Sequence, residues 1–133
     1  VQLEMGDVAT AFEYENITTT LQKCRRYYNR MGADSAYSFF GACFCSSTTV
    51  GKVQIMFPVE MSKVPVLGYS AVSKFVIYAA AGNAVVTSLA INNPSTWGTA
   101  IDPNVSSGLT AGQAGQFIAN NDASAYLEFK AEL

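Results

Sequence analysis

An all-β fold, an antiparallel β-sandwich of jelly-roll-like type with one short N-terminal helix, is the class this 133-residue sequence predicts. Three observations carry it. About eight short runs rich in aromatic and β-branched residues are separated by turn signals at the spacing typical of sandwiches and barrels. Apolar and polar residues alternate along several runs, so their inner faces need another sheet as cover. Amphipathic helices do not recur between the runs, which removes the crossovers of a parallel α/β sheet.

The elements follow in order. Val1 to Glu13 (VQLEMGDVATAFE) reads as a short strand, a Gly6-Asp7 turn and a polar exit. Ile17 to Met31 holds the one helical signal: Leu21, Cys24, Tyr28 and Met31 recur at spacings of three and four, and Thr18 to Thr20 offer capping hydroxyls. The adjacent Tyr27 and Tyr28 suit a strand, so the helix is expected to end near Cys24 and a strand to begin near Arg25.

Strand and turn then alternate. Ala36–Cys45 is aromatic-rich, with Gly41 marking a bulge or close packing. Lys52–Met61 places Val53, Ile55 and Phe57 on one face, and Pro58 implies an edge or a bend. Val64–Ala71, Lys74–Ala81 and Ala84–Ile91 follow, with Gly82-Asn83 as a two-residue hairpin turn. Asn92 to Gly115 is too long for a structureless connection; it is either functional or hides a strand around Ala100–Val105. Gln116–Ala119, an Asn120-Asn121-Asp122 turn and Tyr126–Glu132 close the chain. In that last strand Leu127, Phe129 and Ala131 face one way, and Tyr126, Glu128 and Lys130 the other.

Composition bounds the chemistry. The length suits one domain with a real core. Charged residues make up only 14%, against roughly 25% in typical soluble domains, which excludes a disordered tail, a coiled coil or a charge-laced bundle. So little charge implies either a polar uncharged surface or one covered by partners, and favours an oligomer. Eight basic and ten acidic residues give a net charge of −2, with no footprint for nucleic acid or anionic lipid. No apolar run approaches the roughly 20 residues needed to span a bilayer, and no signal-peptide pattern is read at the N-terminus. No membrane insertion is expected. The absence of histidine removes Ser-His-Asp and Cys-His catalysis and histidine metal sites.

Other chemistry is thin. Cys24, Cys43 and Cys45 are odd in number and read as reduced, mostly buried thiols. No metal and no cofactor are expected. Glu60 with Asp102 or Asp122 could flank a glycosidic bond, but scattered carboxylates on turns and strand edges explain them as well. Gly108–Gly115 lacks the lysine and the context of a phosphate loop. Asn16-Ile17-Thr18 and Asn104-Val105-Ser106 match the glycosylation pattern by chance. Lys23, Arg25, Arg26 and Arg30 beside Tyr27 and Tyr28 form a basic cluster without a groove to extend it. The expectation is a protein that is not an enzyme.

Four stretches carry a resemblance. The opening VQLEMGDVATAFE resembles the end of a carbohydrate-binding-like module of tailed-bacteriophage tail fibres and tail spikes, and LQKCRRYY, FPVEMSKVPVL and AYLEFKAEL resemble, in order, the C-terminal segments that follow it there. The resemblance implies that residues 1–16 are a leading segment, the remnant of a preceding module, with the sandwich domain spanning 17–133. LQKCRRYY is similar to the Cys-Gln-Arg-Tyr-Tyr signature of those proteins, with Arg25 in place of the usual glutamine. Ala11 replaces a usual proline, and Ser62-Lys63 stands where an arginine is common. The resemblance implies a receptor-recognition domain of a virion tail, made in a bacterial cytoplasm, homotrimeric and binding host-surface polysaccharide or another receptor. A purely structural domain that registers a trimeric fibre is the alternative. It implies no catalytic residues, and has Leu21, Cys24 and Tyr28 packing a helix or strand on the core. Phe75, Ile77, Val85 and Leu89 are candidates for the shared trimer surface or for intrachain core.

Sugar recognition needs flat apolar area for C–H faces and amides or carboxylates for hydroxyls, held on loops by a rigid scaffold. The lone Trp97 lies in NNPSTWGTAIDPN, with Asn92, Asn93, Thr96, Asp102 and Asn104 as surrounding donors and acceptors. These are the candidate carbohydrate-binding residues. A single tryptophan in a sandwich also serves as a core plug, and both roles stay open here. The Asn120-Asn121-Asp122 turn with Tyr126 is a second, poorer candidate.

Overall fold

The computed structural model describes residues 14–131. The strand and turn expected within Val1 to Glu13 lie outside them, as does Glu132, the last residue of the expected final strand. One helix comes first, α1 (Ile17–Arg25). Nine strands follow: β1 (Tyr28–Gly32), β2 (Phe39–Cys45), β3 (Gly51–Met56), β4 (Val66–Tyr69), β5 (Phe75–Ala79), β6 (Gly82–Asn92), β7 (Gly98–Val105), β8 (Ala114–Ala119) and β9 (Tyr126–Lys130). The chain is therefore mostly β with one short helix. A strand does occupy the region around Ala100–Val105.

Six strands close into an antiparallel barrel, in the order β2-β3-β7-β6-β5-β8, and β1-β9-β4 form a separate three-stranded sheet. The two facing open sheets expected of a sandwich are replaced by pairing that runs unbroken round the ring, because β8 bonds to both β2 and β5. Register shifts between Phe39 and Gly41 on β2 and between Val86 and Ser88 on β6 mark where the sheet coils. Such bulges bend and twist a strand, which is what closure demands. Closure also leaves these six strands without a bare edge.

A six-stranded barrel is too narrow for a channel, and side chains fill it. Phe40, Phe75 and Phe117 pack at its centre: Phe75 stacks on Phe117 at 5.4 Å between centroids, and Phe40 meets Phe75 edge-on at 5.3 Å. Val53, Ile77 and Ile101 are fully buried beside them. The expected alternation holds, with Val53, Ile55 and Phe57 buried, and Leu127, Phe129 and Ala131 likewise. Phe57 meets Phe129 edge-on at 4.9 Å, so the small sheet and the barrel share one apolar cluster. Cys43 and Cys45 point into it. Burial, and then the neighbouring Cys45 thiol, push the Cys43 thiol up to about 11, where it is an inert space-filler.

Four local expectations are changed or decided. The β5–β6 loop is Ala80-Ala81; Gly82, at φ +118°, opens β6 opposite Ala79 instead of sitting in the turn. Phe75, Ile77 and Leu89 are buried within the chain, so they are core and not trimer surface; of that set Val85 alone is exposed. Helix α1 is capped by Asn16, whose Oδ1 accepts from the Thr18 amide at 2.9 Å, rather than by a threonine hydroxyl. None of its residues is buried. Leu21 and Cys24 therefore do not pack onto the core, and Tyr28 is exposed at the start of β1.

Candidate functional site

Strand geometry decides what faces outward. On β3, Val53 and Ile55 point into the barrel, so Lys52, Gln54 and Met56 point out. On β2 the outward residues are Phe39, Ala42 and Phe44, and on β8 Ala114 and Gln116. Pairing aligns them. Phe44 lies opposite both Ala114 and Lys52, Ala42 opposite Gln116, and Gln54 opposite Ala100. The row continues across β7 to β6, where Asp102 faces Ala90 and Ala100 faces Asn92. The result is a wall of small residues and amides with a few large apolar side chains standing on it. Phe44 is 53% exposed and Met56 75%.

Charge on this wall is self-neutralised. Lys52 Nζ lies 3.3 Å from Asp102 Oδ2, and Asn92 Nδ2 donates to that same oxygen at 2.9 Å. A half-exposed pair of this kind contributes little stability. Its effect is to leave the wall close to neutral.

Trp97 lies in the loop joining β6 to β7, one residue before β7 begins. It is 57% exposed, which overturns the core-plug role. The loop is tied by its backbone and small side chains, not by the ring. Ser95 Oγ and Ser95 N both donate to Gly98 O, at 2.8 and 2.9 Å. Phe57 N donates to Trp97 O at 2.9 Å, and Met61 N to Thr96 O at 2.8 Å. Thr96 Oγ1 donates to Glu60 Oε1 at 2.9 Å. Asn93 takes φ 44°, the left-handed turn conformation that asparagine tolerates. The indole is thus presented on a preset frame.

The polar residues expected around that ring are only partly gathered. Asn92 and Asn93 flank the loop, but Asp102 and Asn104 lie along β7. At about 3.3 Å per residue they are roughly 13 and 20 Å beyond Gly98. They form a stripe down the wall, with Asn104 Nδ2 donating to Ser88 Oγ at 3.2 Å. Sequence reasoning missed Phe44, Gln54, Met56 and Gln116. Their signal was the alternation itself: what lies between buried positions on β3 and β2 must face solvent.

The second candidate is a structural turn. Asn120 Nδ2 donates to Ser73 O, and Asp122 Oδ1 accepts from Ser124 N and Ser124 Oγ. Lys74 Nζ lies 3.2 Å from Asp122 Oδ2, and Tyr126 is covered by the Arg30 guanidinium at 4.1 Å. The Ser124 hydroxyl and amide, then Lys74, hold the Asp122 carboxyl down to about 2 from its ordinary 3.8. A depressed carboxyl stabilises the fold above its unfolded value and loses that contribution as pH falls through the folded one. Asp122→Asn is therefore expected to lower the melting temperature at pH 6, by an amount that shrinks as pH falls from about 4 towards 2 and vanishes below that. A difference as large at pH 2 as at pH 6 in thermal melts would reject the linkage.

The remaining chemistry is dispersed. Glu60 is held by Thr96, Asp102 by Lys52 and Asn92, and Asp122 by its own turn. Among the described residues no three Cys, Asp or Glu side chains are placed to hold a metal ion, and no helix is long and apolar enough to cross a membrane. In the basic cluster, Lys23 pairs with Glu15, and Tyr28 Oη donates to Glu128 Oε2 at 2.8 Å. Comparison with known proteins finds no matching family model, no similar curated protein and no similar solved structure.

Proposed function

We propose that this chain is a receptor-binding tip domain of a bacteriophage tail fibre or spike, recognising host-surface polysaccharide through the outer wall of its barrel. The observation that carries the reading is the exposed pair Phe44 and Met56 lining one groove with an outward amide, beside a neutralised ion pair, together with the exposed Trp97 in the loop before β7. Aromatic faces stack on sugar C–H groups, and amides on rigid strands meet hydroxyls in fixed directions. In this reading the barrel does the work of the jelly-roll-like sandwich expected from sequence, and no catalytic step is involved. A glycan array probed with the full chain tests it. Retention on bacterial surface polysaccharides is the expected result, and a blank array with folded protein rejects it.

A second reading, a structural domain that registers a homotrimeric fibre, is favoured by α1. Ile17 is 78% exposed and Leu21 48%, on a nine-residue helix with no buried side chain. Isolated helices shorter than about 12–15 residues are marginal in water, so contacts between copies would give this one a reason to persist. Both roles are compatible in one trimeric tip. Light scattering is expected to give three times the 14.2 kDa chain mass; a monomer at micromolar concentration rejects the assembly.

A further inference from the structure

We infer that the groove between Phe44 and Met56 is a subsite for an uncharged, methyl-bearing pyranose, the chemistry shared by N-acetylated and 6-deoxy sugars. The inference rests on the glycan-binding reading and narrows it to a ligand class.

The groove has a volume of about 730 Å³ and runs across the outer faces of β8, β2 and β3. Ala42 and Ala114 line it, and neither side chain extends past a methyl. Phe44 and Met56 also line it, and both project well into solvent. The contrast in side-chain length produces an apolar hollow between two tall walls. Phe44 lies opposite Ala114 in the pairing, so the ring borders the hollow directly. A pyranose lying on the ring would direct an acetamide or C6 methyl towards the alanines.

The polar groups restrict the charge of that sugar. Gln54 lines the groove and is exposed, offering an amide donor and acceptor without charge. The groove's cation, Lys52, is already matched by Asp102 at 3.3 Å. A uronate would have to compete with that carboxylate for Lys52, and an amino sugar would have to compete with Lys52 for Asp102. A neutral ligand leaves the pair intact.

The full chain would be titrated with four probes: trimers of N-acetylglucosamine, rhamnose, glucose and galacturonate. Saturation-transfer NMR reads which ligand protons touch the protein, and calorimetry reads affinity. The acetyl or C6 methyl protons should receive the strongest transfer. The better methyl-bearing trimer should bind at least about fourfold tighter than the glucose trimer, the contribution of one buried methyl. The N-acetyl and 6-deoxy arms tell which source is used. Phe44→Ala should weaken binding about tenfold. Ala114→Leu, which fills the hollow from an exposed position, should erase the methyl preference even if the first variant folds poorly. Equal binding of the glucose trimer, or tighter, salt-sensitive binding of galacturonate, overturns the subsite while the glycan reading stands. Retention on an array with none of the four probes touching the groove does the same. Silence on the array and with every probe overturns both.

Discussion

Phe117→Ala is expected to destabilise the fold by about 3–5 kcal/mol, the usual cost of emptying a buried phenylalanine site. Phe117 is fully buried on β8, the strand that closes the ring. Its neighbours in the pairing are Ile77 on β5 and Gly41 on β2. Its ring stacks on Phe75 and lies 5.6 Å from Phe40. Collapse into the vacated space is hindered, since Gly41 has no side chain to contribute and a Cβ there would come within 2.7 Å of Val53 Cγ1. The cavity term should therefore be felt nearly in full. Domains of this kind are stable by only about 5–15 kcal/mol in total. Urea unfolding should show a much lower midpoint with an unchanged slope. A loss below about 1 kcal/mol would mean that the barrel interior is not packed as described.

The strands were legible in the sequence because their alternation is a local property. Val53, Ile55 and Phe57, or Leu127, Phe129 and Ala131, reveal their buried face whatever the partner strand is. Closure into a barrel was not legible, because it depends on which distant strands pair. The β2–β8 contact joins residues more than seventy positions apart, such as Phe39 and Ile118. Gly41 carried a true hint of irregularity, and the shift at Val86 to Ser88 has no glycine to announce it. The loop between β5 and β6 lies two residues before Gly82-Asn83 for a related reason: glycine marks the positive φ at Gly82, not the loop's centre.

Helix α1 shows the opposite failure. Of the residues at three-and-four spacing, Leu21 and Cys24 fall on the helix while Tyr28 and Met31 lie on β1, and an apolar spacing says nothing of what it faces. Among the candidate site residues, closeness to Trp97 in sequence is a poor guide to closeness in space. Asn93 begins the loop, but Asn92 ends β6 and donates to Asp102. Along β7 each residue advances the chain, so Asp102 and Asn104 are carried away from the ring. Phe44 and Gln54, distant in sequence, share the groove instead.

Trp97→Ala is expected to leave the fold intact and to reduce adsorption to host cells or glycan by at least about tenfold. Both halves follow from the loop. The ring is 57% exposed, so its removal opens no core cavity. The bonds that shape the loop use Ser95, the Thr96 side chain and the main chain of Thr96 and Trp97, all of which alanine at position 97 preserves. The stability change should accordingly stay below about 1 kcal/mol, as for most exposed substitutions. A buried tryptophan would instead cost about 3–5 kcal/mol. The parent chain offers an internal check, since this is its one tryptophan. Its fluorescence should be quenched readily by acrylamide in the free protein and protected when glycan is bound. Quenching that ligand leaves unchanged, or a variant that adsorbs normally, would remove Trp97 from the binding surface. The Phe44–Met56 groove would then have to hold the sugar without an indole platform.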